Sequence, residues 1–430
     1  MIMGWVLSIT MYIVIIIMDA YGNSGRVLYR SEWKDQFDSA NTTVTRHRSD
    51  EPVSPFGIAY LLVNLVAACG IQISWLSAIA LSVEYAQREQ LFHRGRLQAT
   101  LVALYYLGGV VANFVTACVI SEGVNRDHLV SIISVGDAAA ILTVVSVVPI
   151  PFLLRFFYEE PFINTTRVGM SITQRLKDFW RFCHQNVVYR VLFFIILHLF
   201  LVGLYNQNVR DAVQRWSGVT RKEALAIECA RMAAMMLSIL VWMVYLRNVG
   251  WRKLAFWGST FYIAVYAVLT FCATYNIVRN EWFYGVMLSL GDVPRAWLIL
   301  YAIILATEIS DIGHEGVTVA LGMSYQTLAG LAGYTLAAIF PNIIGYKVTM
   351  ENVDTDYHET RASVIKAFLI VAAINITSFP LIRILPQQKL DAQQMRAFGG
   401  YNRYASTALL LTFAVLLCFN LGINLVVVLR

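Results

Sequence analysis

The stretch FGIAYLLVNLVAACGIQISWLSAIALS, residues 56–82, contains no charged side chain and is long enough to cross a lipid bilayer. A membrane-spanning helix needs about 20 apolar residues. Ten further runs of this kind lie at roughly 3–19, 98–121, 131–153, 190–207, 228–246, 254–275, 294–311, 317–345, 362–383 and 404–428. The runs are continuous and do not alternate between apolar and polar residues, so they predict helices, not barrel strands. The sequence therefore predicts an all-α polytopic membrane helical bundle with about 11 spans.

The composition leaves little room for a soluble domain, because 58% of the residues are hydrophobic and 14% are charged. The net charge of +6 lies mostly in short loops. The lipid bilayer is therefore the expected partner, and nucleic acid is not. The six cysteines follow no disulfide or metal-ligand pattern. No glycine-rich phosphate loop, H-E-x-x-H or G-x-S-x-G motif is present, so we expect neither an enzyme nor a bound cofactor or metal.

The loops between the runs predict how the chain is oriented. Residues 20–55 are polar and carry the glycosylation sequon Asn41-Thr42-Thr43, which favours a lumenal or extracellular position. Alternation then places five loops in the cytoplasm, at 84–97, 155–189, 247–253, 312–316 and 384–403. The basic loop Arg247–Lys253 agrees with the usual excess of positive charge on that side. We expect an integral multi-pass protein of the plasma membrane or of an endomembrane.

The loop at 155–189 divides the runs into two groups. Within it, Ile172, Leu176 and Phe179 share one helical face, which is typical of an amphipathic helix at the membrane interface. A solvated linker is the alternative. The predicted organisation is an incomplete amino-terminal bundle at 1–155, a cytoplasmic linker at 156–189, a six-helix bundle at 190–383, and a loop with an extra membrane helix at 384–430.

Ionisable residues inside the apolar runs are candidates for function, since each needs a partner or a watery cavity. They are Asp137, His198, Glu228, Arg231, Glu308 and Lys366. We place Asp137 deep in its run, as the leading candidate for contact with a proton or a substrate; a structural pairing is the alternative. Glu228 and Arg231, three residues apart, predict an ion pair on one helix face. His198 is expected to make a satisfied contact between helices, and Lys366 to extend towards the interface.

Five segments occur in order along most of the chain: Val83–Glu89 followed by Arg94–Gln98; Phe179-Trp180 with Asn186 and Val187; Val278–Phe283; Glu308 through Gly313–Gly316; and Leu385–Lys389 with Gly399-Gly400. Together they resemble the folate–biopterin transporter family, a branch of the major facilitator superfamily. The first segment looks like the cytoplasmic loop after that family's fourth helix. The fourth is similar to the family's E-x-x-x-x-G-x-E-G segment.

The resemblance implies a major-facilitator-like fold and secondary transport of a folate- or pterin-like, or related, small organic solute, with proton coupling as a further expectation. Such a solute needs aromatic faces for its ring and cations for its carboxylates. The aromatic candidates are Trp75, Tyr105, Tyr106, Tyr205 and Trp297. The cationic candidates are Arg231, Arg295 and Lys366. Asp137 and Glu308 complete the set of substrate or proton candidates.

The chain departs from the family pattern in two places. Met1–Trp5 looks like the start of the family's third helix, which implies that the first two helices are absent. Positions that hold acidic residues in the family hold Trp75 and Ile79 here. Both departures lead us to expect little folate transport by the chain as it stands. They keep open a second interpretation, in which a non-transporting relative acts as a membrane scaffold or sensor.

Overall fold

The computed structural model describes residues 1–37, 55–122, 129–131, 134–156, 171–311, 314–344 and 350–429. Ten helices within these ranges are long and apolar enough to cross a membrane. The prediction of an all-α polytopic bundle is thereby confirmed, and the chain is a multi-pass membrane protein. The run predicted at 317–345 also forms a helix, but it is not among the ten. Its first half carries the polar stretch Ser324–Thr327.

The helices, in chain order, are α1 (Ile2–Phe37), α2 (Pro55–Arg88), α3 (Arg96–Val119), α4 (Val135–Val147), α5 (Pro149–Phe156), α6 (Ile172–Cys183), α7 (Asn186–Gly203), α8 (Gln207–Trp216), α9 (Arg221–Val241), α10 (Trp251–Thr274), α11 (Glu281–Ile309), α12 (Glu315–Ile344), α13 (Met350–Thr355), α14 (His358–Ile376), α15 (Lys389–Phe398) and α16 (Arg403–Leu429). A π-helical turn, Trp242–Leu246, follows α9, and a 3₁₀ segment, Phe379–Ile384, follows α14. Two short strands, β1 (Ile120–Glu122) and β2 (Leu129–Ser131), pair antiparallel after α3; continuous apolar runs gave no signal for them.

Several helices begin earlier than their apolar runs because polar residues cap them. Helix α11 starts at Glu281, not at 294, and the Asn280 side chain accepts a hydrogen bond from the Trp282 backbone N–H at 2.7 Å. Helix α9 starts at Arg221, with Thr220 and Glu223 forming a capping box. Caps of this kind satisfy backbone N–H groups that have no partner inside the helix. Hydropathy alone therefore marks the spanning part of a helix and misses its first turns.

The run predicted at 190–207 is broken into α7 and α8, because residues 204–206 are extended. The Asn206 side chain caps α8 by accepting a hydrogen bond from the Val209 N–H at 3.3 Å. On α14, the Asn375 amide, oriented with its nitrogen towards the break, donates to the carbonyl oxygens of Leu201 at 2.7 Å and Leu204 at 3.3 Å. These bonds satisfy carbonyl groups that have no partner inside α7.

The chain forms two compact units. Unit 1 comprises Met1–Ala78 and Val119–Ile163, and unit 2 comprises Ile79–Cys118 and Asn164–Arg430. The domain boundary expected near residue 155 stays a prediction. The end of α2 and helix α3 belong with the carboxy-terminal helices, to which Gln98 donates a hydrogen bond at the Thr307 hydroxyl, 2.7 Å away.

Small residues bring α1 and α2 together within unit 1. A Cβ atom on Gly4 would overlap the carbonyl oxygen of Gly70, so only glycine permits this approach. One turn further along, the Ser8 hydroxyl donates to the Ala67 carbonyl oxygen at 2.9 Å. Small residues at four-residue spacing allow close helix packing in lipid, where the hydrophobic effect between helices is absent. In the sequence, Gly4 and Ser8 are a single pair of small residues at this four-residue spacing.

Candidate functional site

A cavity of about 400 Å³ lies within unit 2, among α7, α8, α10, α11, α12 and α14. Five tyrosines and two arginines line it: Tyr205, Tyr262, Tyr266, Tyr284, Tyr334, Arg210 and Arg295. Its polar lining further includes Asn206, Ser259, Thr270, Gln326 and Asn375. Among the described residues of the lining, the two arginines are the only charged ones. The wall is thus aromatic and positively charged.

The tyrosines of α10 form an aromatic face in this cavity. The rings of Tyr262 and Tyr266 have their centroids 4.7 Å apart at a tilt of 45°. Gly291 on α11 makes room for them, since a Cβ there would lie 2.7 Å from a ring carbon of Tyr266. On the broken helix, the Arg210 guanidinium lies 5.8 Å from the ring centre of Tyr205, a cation–π distance. Planar ligands can stack on such faces.

A buried ion-pair network lies behind the cavity wall. The Arg231 Nε donates to Asp292 Oδ2 at 2.5 Å, and its Nη1 lies 2.5 Å from Glu228 Oε2. The predicted pair of Glu228 and Arg231 is therefore confirmed, with Asp292 as a third member. Arg295 reaches the other carboxylate oxygen of Asp292 only at 3.7 Å, and 58% of its side chain is accessible. Arg231 is neutralised by two carboxylates, whereas Arg295 presents its charge to the cavity that it lines.

A second polar group, the α11–α15 cluster, comprises Gln87, Arg94, Glu308, Lys389 and Gln393. Arg94 Nη1 and Glu308 Oε2 form a salt bridge of 2.9 Å, and the Glu308 side chain is fully buried. Gln393 donates to the same carboxylate oxygen at 2.7 Å. Gln87 donates to the Ser310 hydroxyl at 2.7 Å. Side chains from α2, α11 and α15 are thereby joined at one end of unit 2.

Lys389 is the most buried cation of this cluster, with 3% of its surface accessible. Its Nζ donates to the carbonyl oxygens of Arg94 at 2.8 Å and Leu91 at 3.2 Å, and to Asn248 Oδ1 at 3.4 Å. Burial lowers the pKa of Lys389 to about 8, and the nearby carboxylate of Glu308 opposes part of this shift. Burying an ammonium group disfavours its charged form.

Loops that were predicted to share the cytoplasmic side meet at this end of unit 2. Lys389 joins the 384–403 loop to the 84–97 loop through the Arg94 carbonyl. Arg252 donates to the Leu385 carbonyl oxygen at 2.5 Å and so adds the 247–253 loop. Gln185, at the end of the 155–189 loop, donates to Asp311 at 3.2 Å. These contacts bring the four loops together at one end of unit 2; their cytoplasmic position stays a prediction.

Comparison with known proteins assigns no family to the chain: no protein-family model matches it, and no curated protein matches it. The relation to folate–biopterin transporters therefore stays a prediction from resemblance. The cavity and its charges provide the independent basis for a functional proposal.

The structure brings some of the predicted site residues together. Arg295 and Tyr205 both line the cavity. Arg231 lies one layer behind Arg295, through Asp292. Trp297 is not part of the described lining; its ring packs near Gly258, and its Nε1 is 3.4 Å from the Ser238 carbonyl oxygen. Arg295 is the cationic candidate that geometry favours.

Other candidates lie elsewhere. Glu308 belongs to the α11–α15 cluster, and Lys366 is exposed on α14 and does not belong to the described cavity lining. Tyr105 is exposed on α3 and Tyr106 is buried there, and neither is among the lining residues that the structure describes. Trp75 is half-buried on α2 in the unit 1 part of the chain. The glycosylation candidate Asn41 lies outside the described residues.

The prediction that Asp137 lies deep in a membrane run is wrong. Helix α4 begins at Val135, so Asp137 is in its first turn and is exposed. It forms a capping box with Ser134: its backbone N–H donates to the Ser134 hydroxyl at 3.0 Å, and its carboxylate accepts from the Ser134 N–H at 3.2 Å. Its role as a proton or substrate contact stays a prediction, but the cap is a structural reason for an acid here. His198, by contrast, is satisfied as expected, since its ring nitrogens hydrogen-bond with Ser378 and Ser259.

Sequence reasoning missed residues of the cavity and of the ion-pair network behind it. Arg210 was overlooked because the charged stretch 207–216 reads as a loop, although it forms α8. Asp292 was overlooked because the apolar run was taken to start at 294. The sequence Gly291-Asp292-Val293-Pro294-Arg295 inside a long apolar segment is a signal that would have found it. Charged residues beside an intramembrane proline are typical of functional helix irregularities.

Proposed function

We propose that this protein is a membrane carrier for a small organic anion with a planar aromatic ring, of the folate or pterin class. The observation that carries the proposal is the unit 2 cavity, whose wall combines five tyrosines with two arginines. Its volume of about 400 Å³ falls in the range of roughly 300–1,000 Å³ that is usual for small-molecule sites.

The chemistry of the wall supports an aromatic anion. Tyrosine faces such as those of Tyr262 and Tyr266 stack on a planar ring. Arg210 and Arg295 offer forked N–H donors that match carboxylates. Among the described residues of the cavity lining, Arg210 and Arg295 carry the only charges, and both are positive. In a low-dielectric interior this charge attracts anions strongly.

The broken helix supports a carrier. Tyr205 and Asn206, at the interruption between α7 and α8, both line the cavity. Substrate sites of secondary transporters are commonly formed where helices are interrupted; here the interruption follows the 18-residue apolar span of α7. The resemblance to folate–biopterin transporters, quoted from the sequence, points to the same class of solute. The replaced acidic positions, Trp75 and Ile79, remain the argument against efficient folate transport.

Binding is the first test. The purified full chain is titrated with folate, biopterin and the aromatic cation tryptamine. We expect saturable binding of folate and biopterin, with folate tighter, and binding of tryptamine at least about 10-fold weaker because the wall is cationic. Binding of tryptamine as tight as that of folate, or the absence of saturable folate and biopterin binding, would contradict the proposal.

Transport is the second test. The chain is reconstituted in liposomes, and accumulation of labelled folate is measured for the native protein, Arg295→Gln and Lys366→Gln. The last variant removes an exposed cation of α14 outside the described cavity lining and is the matched control. Because the acidic positions of the family are replaced, we expect folate uptake to be slow but saturable, lost in Arg295→Gln and kept in Lys366→Gln. Tight binding without uptake would favour the scaffold or sensor interpretation instead.

A further inference from the structure

The two halves of an aromatic anion differ in chemistry, and the cavity offers different partners for each. Among the arginines, Arg231 already holds two carboxylates, each at 2.5 Å. Arg295 has no carboxylate within hydrogen-bond distance among the described residues, and Asp292 lies 3.7 Å away. The Asp292 oxygen that faces it also lacks a hydrogen-bond partner among these residues. Arg295 can therefore engage a new anion without breaking an existing hydrogen-bonded ion pair.

A second polar group lies on a different helix of the wall. Gln326 of α12 lines the cavity, and its amide oxygen has no hydrogen-bond partner in the described part of the chain. A buried amide atom without a partner costs free energy that a ligand can recover. Rotation of the terminal torsion presents either the donor or the acceptor end of the amide. The same helix continues with the small residues Ala329, Gly330 and Gly333 in the lining, and a Cβ added to Gly330 would meet no atom within 4 Å.

We propose that the cavity is a two-part site, in which Arg295 binds the anionic group of the ligand and Gln326 hydrogen-bonds the polar edge of its heteroaromatic ring. This inference rests on the proposed function and adds a basis for the ligand selectivity of the cavity. A ring with adjacent donors and acceptors fits an amide, which has both. A carboxylate fits the guanidinium. The site therefore selects molecules that carry both groups over molecules that carry one.

The test uses two fragments of folate as probes: biopterin, which has the pterin ring without carboxylates, and p-aminobenzoylglutamate, which has the carboxylates without the pterin ring. Affinities are measured for the full-length native protein, Arg295→Gln and Gln326→Leu. The controls are Lys366→Gln, with the same loss of charge on an exposed position of α14, and Thr327→Val, at the exposed residue next to Gln326. Size-exclusion profiles and melting temperatures establish that each variant is folded.

We expect Arg295→Gln to weaken p-aminobenzoylglutamate by about 10- to 100-fold and biopterin by less than about threefold. Gln326→Leu should do the reverse, with a loss of about 10-fold for biopterin. Arg295→Lys should recover part of the anion affinity, because it restores the charge without the planar fork. Folate should weaken in both variants.

Two results would overturn the inference in different ways. If the native protein binds both probes, and each variant weakens both probes equally or neither of them, the two-part site is wrong while the proposed function survives. If the native protein binds neither probe nor folate, the proposed function fails and the two-part site fails with it. Gln326→Asn keeps an amide on a shorter side chain and replaces the leucine variant if that variant does not fold. A loss of biopterin affinity in Gln326→Asn, with p-aminobenzoylglutamate affinity unchanged, supports the assignment.

Discussion

The cavity and the α11–α15 cluster both bury charge in unit 2, yet they satisfy that charge differently. In the cluster, Glu308 accepts from Arg94 and Gln393 at 2.9 and 2.7 Å, and Lys389 has three oxygen partners. In the cavity, Arg295 has its nearest carboxylate at 3.7 Å. Glu308 Oε1 lacks a hydrogen-bond partner among the described residues, so the contrast concerns ion pairing alone: the cluster's charges are paired at hydrogen-bond distance, whereas Arg295 is held only by a longer contact. Because a weakly paired charge in a membrane interior is costly, we interpret the cavity as a ligand site and the cluster as a structural contact.

The comparison predicts that charge removal destabilises the cluster and spares the cavity. Arg94→Ala leaves the fully buried Glu308 carboxylate without its cation, and loss of one partner of a buried pair costs about 3–5 kcal/mol. Arg295→Ala should change the free energy of unfolding by less than about 1 kcal/mol, as for exposed pairs. Unfolding titrations with sodium dodecyl sulfate in mixed micelles measure both.

Arg88→Ala is the control for that experiment. Arg88 is also an arginine near the end of α2 and pairs with Glu84 at 2.7 Å, but both side chains are exposed. Its removal should cost about 1 kcal/mol or less. A stability loss for Arg295→Ala equal to that for Arg94→Ala would show that the cavity arginine is structural and would break the comparison.

Asp292 combines the properties of the two regions, because it forms a buried ion pair and also lies near the cavity arginine Arg295. Its substitution therefore tests both stability and ligand affinity. Asp292→Asn keeps the shape but removes the buried charge that holds Arg231 at 2.5 Å, so we expect a stability loss of about 2–3 kcal/mol. The cavity becomes more positive, so the affinity for p-aminobenzoylglutamate should rise by about 3- to 10-fold. Asp354→Asn, in the exposed pair with Arg215, is the control and should alter neither quantity appreciably. A lowered anion affinity in Asp292→Asn would contradict the electrostatic explanation.

The contrast also explains what the sequence could predict. Hydropathy located the helices because burial in lipid demands long apolar runs, and, whereas Arg295 entered through the family resemblance, it placed Arg231 and Glu308 among the candidates. It did not identify their partners, since Glu308 pairs with Arg94 across 214 positions and Arg231 with Asp292 across 61. Helix α8 was missed for a related reason. A hydropathy window treats the charged residue Arg210 as part of a loop, although the fold places it in the cavity lining. Contacts between parts of the chain that are far apart in sequence decide which buried charges are paired. The hydrophobic periodicity of the sequence does not reveal those contacts.

A pH titration sharpens the assignment of Lys389 to the structural cluster. Its pKa is about 8 in the fold against an ordinary value of 10.5, so between these values the unfolded chain holds a proton that the native chain has lost. Stability should therefore rise with pH across this window, by an amount on the order of 2 kcal/mol. Charged neighbours also affect the pKa of Lys389: Glu308 and Glu89 raise it, and Arg247 and Arg94 lower it.

The control is Lys389→Met, which keeps the length of the side chain and removes the titrating group. The stability of the native protein relative to this variant, measured by unfolding at pH 7.5, 9 and 10.5, isolates the lysine from other groups that titrate in the same range. A relative stability that falls with rising pH would mean that the charged form is the one preferred in the fold.

Asp137 belongs to neither region and gives the smallest expected effect. Because it caps α4 jointly with Ser134, Asp137→Ala should cost about 0.5–1 kcal/mol of stability. Folate and biopterin affinity should stay within about twofold of the native values, because the substitution removes no side chain from the described cavity lining. Ser134→Ala should cost a similar amount of stability, and the double variant should cost less than the sum, because each substitution already breaks the reciprocal cap. Loss of uptake in Asp137→Ala at unchanged stability and binding would instead assign the acid to transport, as its position in the sequence first suggested.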